Sequence, residues 1–304
     1  MKFLIFTILL FSFANLQSQT NDGAIENALL IAERNKSQLE NVGQLLVVYN
    51  EQRESFTAVF VALEKKDNNW MVKQSRIEAG IGKNGFAPAL QKVEGDGKSP
   101  TGIFRLGKLF SYEKQTNTLL ENQQTTKDDK WIDDVNSEYY NKYVNGATDA
   151  KSFENLLLNT DIYKYCTVIE YNTNPVIKGK GSAIFFHLAL KPGSYTSGCV
   201  AINEEYMKLM INWLDPKQKP TIIMGNLNVL KGLINMPNWL SEAGKFFKWD
   251  AKKLELQPTK VGFTIENGEL KLKDSIRLKL PKCGKMSMIG KVKLDQTIDF
   301  GGRI

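Results

Sequence analysis

The chain has 304 residues, 42% of them hydrophobic, with a formal net charge of +7. That length and content bury a full core, so a disordered chain is excluded and one large domain with extensions is the default. Its Lys and Arg residues form no dense cluster interleaved with aromatics, which excludes a nucleic-acid partner and leaves a solvated basic surface suited to an anionic envelope.

In chain order, residues 1–19 read as a secretory signal peptide: Lys2, an apolar run Phe3–Ala14, then small and polar residues. The run is short for a membrane span, so the expected place is the periplasm or cell envelope, with peripheral envelope association. Residues 20–41 carry Ile25, Ala28, Leu29 and Ala32 at helical spacing, an amphipathic helical segment. Residues 42–226 read as the main domain, and its first strands are expected over Leu45–Asn50, Thr57–Leu63 and Trp70–Gln74. Gly80, Gly82 and Gly85 lack the G-K-[ST] ending and following helix of a phosphate loop, so a tight strand-to-loop backbone is expected there. Gly95 to Gly102 is a run of turn-formers feeding a strand at Ile103–Leu106.

From Ser111 to Lys164 the sequence turns polar, with helices or loops expected at Leu119–Gln124 and Ser152–Leu158. Trp131, Tyr139, Tyr140 and Tyr143 make this stretch either a cap packed by its aromatics or a lid whose Asp133, Asp134, Tyr140 and Asn141 face a peptide. Strands return at Cys166–Tyr171, Ala183–His187 and Pro220–Gly225. Asn203 is placed to cap a helix that buries Tyr206, Met210, Trp213 and Leu214, and whose positive end, close in sequence to Cys199, is expected to help hold a thiolate there. Residues 227–304 form a C-terminal extension, helical over Leu230–Phe247 and then short strands, with no motif that carries chemistry. The fold class is therefore mainly β with helical insertions.

The chemistry concentrates in Ile184–Ile202, IFFHLALKPGSYTSGCVAI, which holds the one histidine, His187, and twelve positions later Cys199. A thiol becomes a strong nucleophile as thiolate, and an imidazole can take its proton and return it to a leaving amine. A lone His and a free Cys are, in most proteins, core or surface residues, and only their pairing here points to catalysis. Gly198 is read as the position that lets backbone approach a substrate. Cys166 and Cys283 leave open a disulfide or two separate thiols, and with one His the three cysteines make no metal pattern. No cofactor motif is found.

The His-loop-[Ser/Thr]-x-Gly-Cys pattern resembles the L,D-transpeptidase (YkuD) family. The resemblance runs from about Val42 to Gly225 and includes Gly80–Gly85 (GIGKNG), Glu94–Phe104 (EGDGKSPTGIF), Trp131–Asn141 (WIDDVNSEYYN) and Val168–Pro175 (VIEYNTNP). It implies a β-sandwich with a capping insertion and peptidoglycan stem peptides as partners. It also implies a cysteine acyl-enzyme at Cys199, with His187 as base and Gly198 and Cys199 N–H groups as oxyanion donors. Thr196, Ser197, Asp133, Asp134, Tyr140 and Asn141 are the expected substrate contacts. The acyl group would pass to an amine, forming 3→3 cross-links. The alternatives are an L,D-carboxypeptidase that uses water and an inactive peptidoglycan-binding protein. Two positions depart from the commoner pattern: Ser197 stands where many members have His, and Ala201 where many have Arg. A papain-like protease would run Cys before His, the reverse of this chain.

Overall fold

Three consecutive segments start the sheet: β1 (Gln44–Asn50), β2 (Thr57–Lys66) and β3 (Asn69–Gly80). The side-chain period of two sends Leu46, Val48, Ala58, Phe60, Ala62, Ile77 and Ala79 to one face, where all are buried in a single cluster. The computed structural model describes residues 23–232 and, beyond them, five short strands. The signal-peptide residues, Cys283 and most of the helix expected at Leu230–Phe247 lie outside the described residues.

The remaining strands of the main sheet are β4 (Gly102–Ser111), β5 (Asn122–Gln124), β9 (Tyr165–Ile169), β10 (Phe185–Leu188), β11 (Val200–Ile202) and β12 (Thr221–Asn226). Their order is β12-β1-β2-β3-β11-β10-β9-β4-β5, and β12 also pairs antiparallel with β4. That pairing closes the sheet on itself and removes the two long edges that would invite another chain. The enclosed core takes residues from β1 to β4 and β9 to β12. It also takes Met207, Met210 and Ile211 of α2 (Glu204–Trp213). Phe60 and Phe186 stack within it at 5.7 Å, so truncating Phe186 to Ala would cost about 3–5 kcal/mol.

The fold is mainly β, as the short strand-like runs between polar turns predict. Two local expectations change. Leu119–Gln124 and Ser152–Leu158, expected as helices or loops, contain β5 and β8 (Phe153–Asn155). The latter joins β6 (Asp129–Ile132) and β7 (Tyr143–Asn145) in a small sheet of order β7-β6-β8. Buried Asp129 organises it, accepting from Thr126 N–H, Gln123 Nε2, Asn145 Nδ2 and the Tyr143 hydroxyl. A carboxylate holding four donors from both sides of a turn fixes this register more firmly than strand propensity can.

The N-terminal helix, α1 (23–34), buries Ala24, Ala28, Ile31 and Ala32 and is tied to β1 by Asn27 Nδ2 donating to the Tyr49 hydroxyl. Residues up to Lys231, within α3 (Leu227–Gly232), form one compact unit, and 232–304 form a second. Within that second unit β13 (Phe247–Asp250) pairs with β14 (Glu255–Pro258). β15 (Phe263–Glu266), β16 (Glu269–Leu272) and β17 (Arg277–Lys279) form an antiparallel sheet.

Candidate active site

His187 and Cys199 come together through strand register. β10 and β11 run parallel, with Phe186 opposite Val200 and His187 opposite Ala201. Cys199 lies two residues before Ala201, so it shares the face of His187 one step along the diagonal. Val200 and Phe186 point the other way, into the enclosed core. Cys199 and Phe185 instead belong to an outer cluster with Trp131, Leu156, Tyr163, Cys166 and Val168, which the small sheet covers. The aromatic cap is thus the roof beside the thiol, with Trp131 and Tyr163 both edge-on to Phe185 at 5.4 and 5.7 Å.

The imidazole is oriented by its own strand. His187 Nδ1 lies 2.8 Å from Leu188 O, and a carbonyl can only accept, so Nδ1 carries the proton and Nε2 keeps the lone pair of a base. Tyr163 packs against the ring at 5.2 Å and 78°. Burial pushes the His187 pKa down to about 4, against the smaller upward pull of the Leu188 bond. The imidazole is neutral at rest.

The thiol is neutral as well. Cys199 Sγ donates to Ala183 O and accepts from Phe185 N–H, each at 3.3 Å, and these backbone groups rather than the imidazole are its hydrogen-bond partners. Burial raises its pKa to about 12, with the Phe185 bond pulling down, Glu154 pushing up and Lys92 pulling down. With burial pushing the imidazole down and the thiol up, the neutral pair is favoured over an ion pair at rest. The helix α2, expected to lend its positive end to the thiolate, packs in the core on the opposite face. Ala183 takes a positive φ of 51°, the bend that aims its carbonyl at Sγ.

The backbone at Cys199 is clamped. Ser99 Oγ and Thr196 Oγ1 both donate to Cys199 O, at 3.0 and 2.8 Å. Gly82 N–H donates to Ser99 Oγ, and Gly198 N–H donates to Thr196 Oγ1 at 3.1 Å. Gly198 N–H is therefore engaged inside the turn and does not face a substrate. Its missing side chain makes room for protein as well: an added Cβ would sit 3.0 Å from Lys98 O. Gly82 is required in the same way, because a Cβ there would meet Gly97 O at 2.5 Å. The turn-forming block thus packs directly under the cysteine. Its Asp96 pairs with buried Lys92 at 2.7 Å and accepts from Lys98 and Val93 N–H.

The other expected substrate contacts divide. Ser197 is exposed beside the thiol, whereas Thr196 is buried in the clamp. Asn141 Oδ1 accepts from Trp131 Nε1 and Ala183 N–H while Nδ2 donates to Tyr171 O and Asn172 O, which ties the cap to the strap before β10. Tyr140 donates to Glu94 at 2.5 Å and accepts from Gly181 N–H, and Glu94 also accepts from Ser182 Oγ. Asp134 accepts from Lys151 and Asn136 N–H, bonds that hold its carboxyl below the usual range. These three side chains are each engaged in hydrogen bonds within the cap. Asp133 alone keeps a buried oxygen, Oδ1, with no partner among the described residues.

Sequence reasoning missed Ser99, Tyr163 and the acidic neighbour Glu154, whose carboxyl burial and Asp133 push up. No local pattern marks them. Ser99 could have been suspected from its place inside the block that resembles the family.

A family model of the L,D-transpeptidase catalytic domain matches residues 46–223, more than half of the chain. No curated protein matches. Among solved structures the chain is similar to the helical cell shape determining protein Pgp2 from Campylobacter jejuni, at 13% identity and a TM-score of 0.33, over 77% of this chain and 84% of that one.

Proposed function

The chain belongs to the L,D-transpeptidase catalytic domain family, and on that premise we propose that it is an exported enzyme that opens the L,D bond of peptidoglycan stem peptides through a thioester on Cys199. The observation that carries this reading is the shared sheet face of Cys199 and His187, with Nδ1 anchored on Leu188 O so that Nε2 is the free base.

Substrate entering between cap and strand displaces Sγ from the Ala183 carbonyl. Nε2 of His187 takes the thiol proton as Sγ bonds to the carbonyl carbon between the diamino acid and D-alanine. Because both groups are neutral at rest, proton transfer and attack proceed together rather than through a standing thiolate. The Cys199 N–H remains to bind the oxyanion, since that of Gly198 is held by Thr196. The C–N bond then breaks, and imidazolium protonates the departing D-alanine amine.

The fate of the thioester turns on the acceptor. Transfer needs a positioned amine, and the expected substrate contacts of the cap, Asp133, Asp134, Tyr140 and Asn141, are the candidates to hold the acceptor, with the two carboxylates placed to attract its cationic amine. Three of those four are engaged in the protein's own hydrogen bonds, and Ala201 supplies no charge. Without a positioned amine the effective concentration that makes aminolysis win is lost. Water, deprotonated by Nε2, releases the tripeptide and restores the thiol, so L,D-carboxypeptidase is the favoured activity.

The test is a product assay with a tetrapeptide donor and a separate amine acceptor. Tripeptide and free D-alanine are expected, even at saturating acceptor. Cross-linked product as the main species would restore the transferase reading, and either product from Cys199→Ala would remove the nucleophile.

A further inference from the structure

We propose that an exposed aromatic platform, Phe56 with Tyr195, binds the glycan strand that carries the stem peptide, so that glycan-borne stems are preferred over free peptides. This rests on the peptidoglycan reading above. Tyr195 lies four residues before Cys199 and is 62% exposed; Phe56 is 41% exposed. Their rings meet edge to face, with centroids 5.9 Å apart.

Single exposed aromatics are ordinary, but these two are mounted on the frame that positions the nucleophile. Ile81 N–H donates to Phe56 O at 2.8 Å, and Thr196 N–H donates to Ile81 O at 2.8 Å. Thr196 is the residue whose hydroxyl clamps Cys199 O. The platform is therefore tied to the frame of the thiol through two backbone hydrogen bonds and the Thr196 hydroxyl.

Beside the platform runs an open trough of about 470 Å³. Ser55 and Thr57, the neighbours of Phe56, line it together with Asn27, Tyr49, Arg76 and Glu78. Gly193, two residues before Tyr195, packs against the Glu78 carboxylate so closely that a Cβ would collide with it. Loop and trough thus form one surface on the His187 side of the sheet, since Val59 pairs with Glu78 and Thr57 with Gly80, which in turn pairs with Ala201.

An aromatic face next to amide, carboxylate and guanidinium groups matches the chemistry of a pyranose, whose C–H face is apolar and whose rim carries hydroxyl and acetamido groups.

Two measurements test this. Glycan strands stripped of peptide are titrated into Cys199→Ala protein, with and without Tyr195→Ala or Phe56→Ala. The kcat/KM ratio of disaccharide-tetrapeptide to free tetrapeptide is compared in the corresponding active proteins. The platform variants should bind glycan about three- to tenfold more weakly and lower the ratio by a similar factor, while Tyr195→Trp retains both. An unchanged melting temperature separates this from misfolding. Absence of glycan binding, or equal binding by platform variants and parent, overturns the proposal. If glycan binds through the platform but neither substrate acylates Cys199, the enzymatic reading fails and the binding surface stands.

Discussion

Iodoacetamide should find Cys199 nearly inert at neutral pH, although it is the proposed nucleophile. An ordinary thiol with a pKa of about 8.5 is roughly 3% thiolate at pH 7. At the value of about 12 imposed by burial, the thiolate fraction falls to the order of one in 10⁵, a loss of about 10³-fold in alkylation rate before access is considered. The rate should climb about tenfold per pH unit above neutrality for as long as the fold persists. Replacing His187 by Ala should leave this resting reactivity within about twofold, because Sγ is bonded to Phe185 N–H and Ala183 O and the neutral ring adds no charge. The same substitution should lower turnover by about 10²–10⁴-fold, since the base acts only in the transition state. The assay is timed alkylation with peptide mass mapping, which separates Cys199 from the fully buried Cys166. A thiolate absorbance at pH 7 that disappears in His187→Ala would show a standing ion pair and refute the neutral-pair mechanism.

Three further outcomes are expected. Folded His187 has a pKa of about 4 against an ordinary 6.5, so its contribution to stability is complete above 6.5 and is lost as pH falls through 4. The difference is about 3 kcal/mol, and His187→Gln should shed that part of the acid destabilisation in urea titrations at both ends of the window; an identical acid slope would contradict it. Asn141→Ala strands the Trp131 Nε1 and Ala183 N–H donors and should cost about 2–4 kcal/mol by denaturant unfolding, with a loss below 1 kcal/mol counting against its role as a clamp. Thr196→Val keeps the shape but frees both Gly198 N–H and one bond to Cys199 O. It should reduce kcat about tenfold with recovery in Thr196→Ser, and a full-rate Val variant would show that the clamp does not position the nucleophile.

Much of this protein is legible before folding. Short apolar runs at Leu45–Asn50, Thr57–Leu63 and Pro220–Gly225, bounded by polar turns, read as strands because they are too short to be buried helices, and β1, β2 and β12 lie there. His187 and Cys199 stand out by scarcity and spacing alone, and the blocks from Gly80 to Pro175 carry the family. What they touch is another matter. Asn141 and Tyr140 look like ligand groups in sequence, yet their partners Asn172, Gly181 and Glu94 lie 31 to 46 residues away, and only the packed chain brings them into bonding distance. Gly198 reads as an opening toward substrate, but the carbonyl of Lys98, a hundred residues earlier, fills that space. The resting charge of the site belongs to the same class. Residue identity sets an ordinary pKa, whereas the roof over Cys199 and the wall around His187 set the solvation that moves one up and the other down. Local pattern determines which residues are present and which way a strand faces; long-range contact decides which polar atoms are left for chemistry, because each hydrogen bond made within the fold removes one from the substrate.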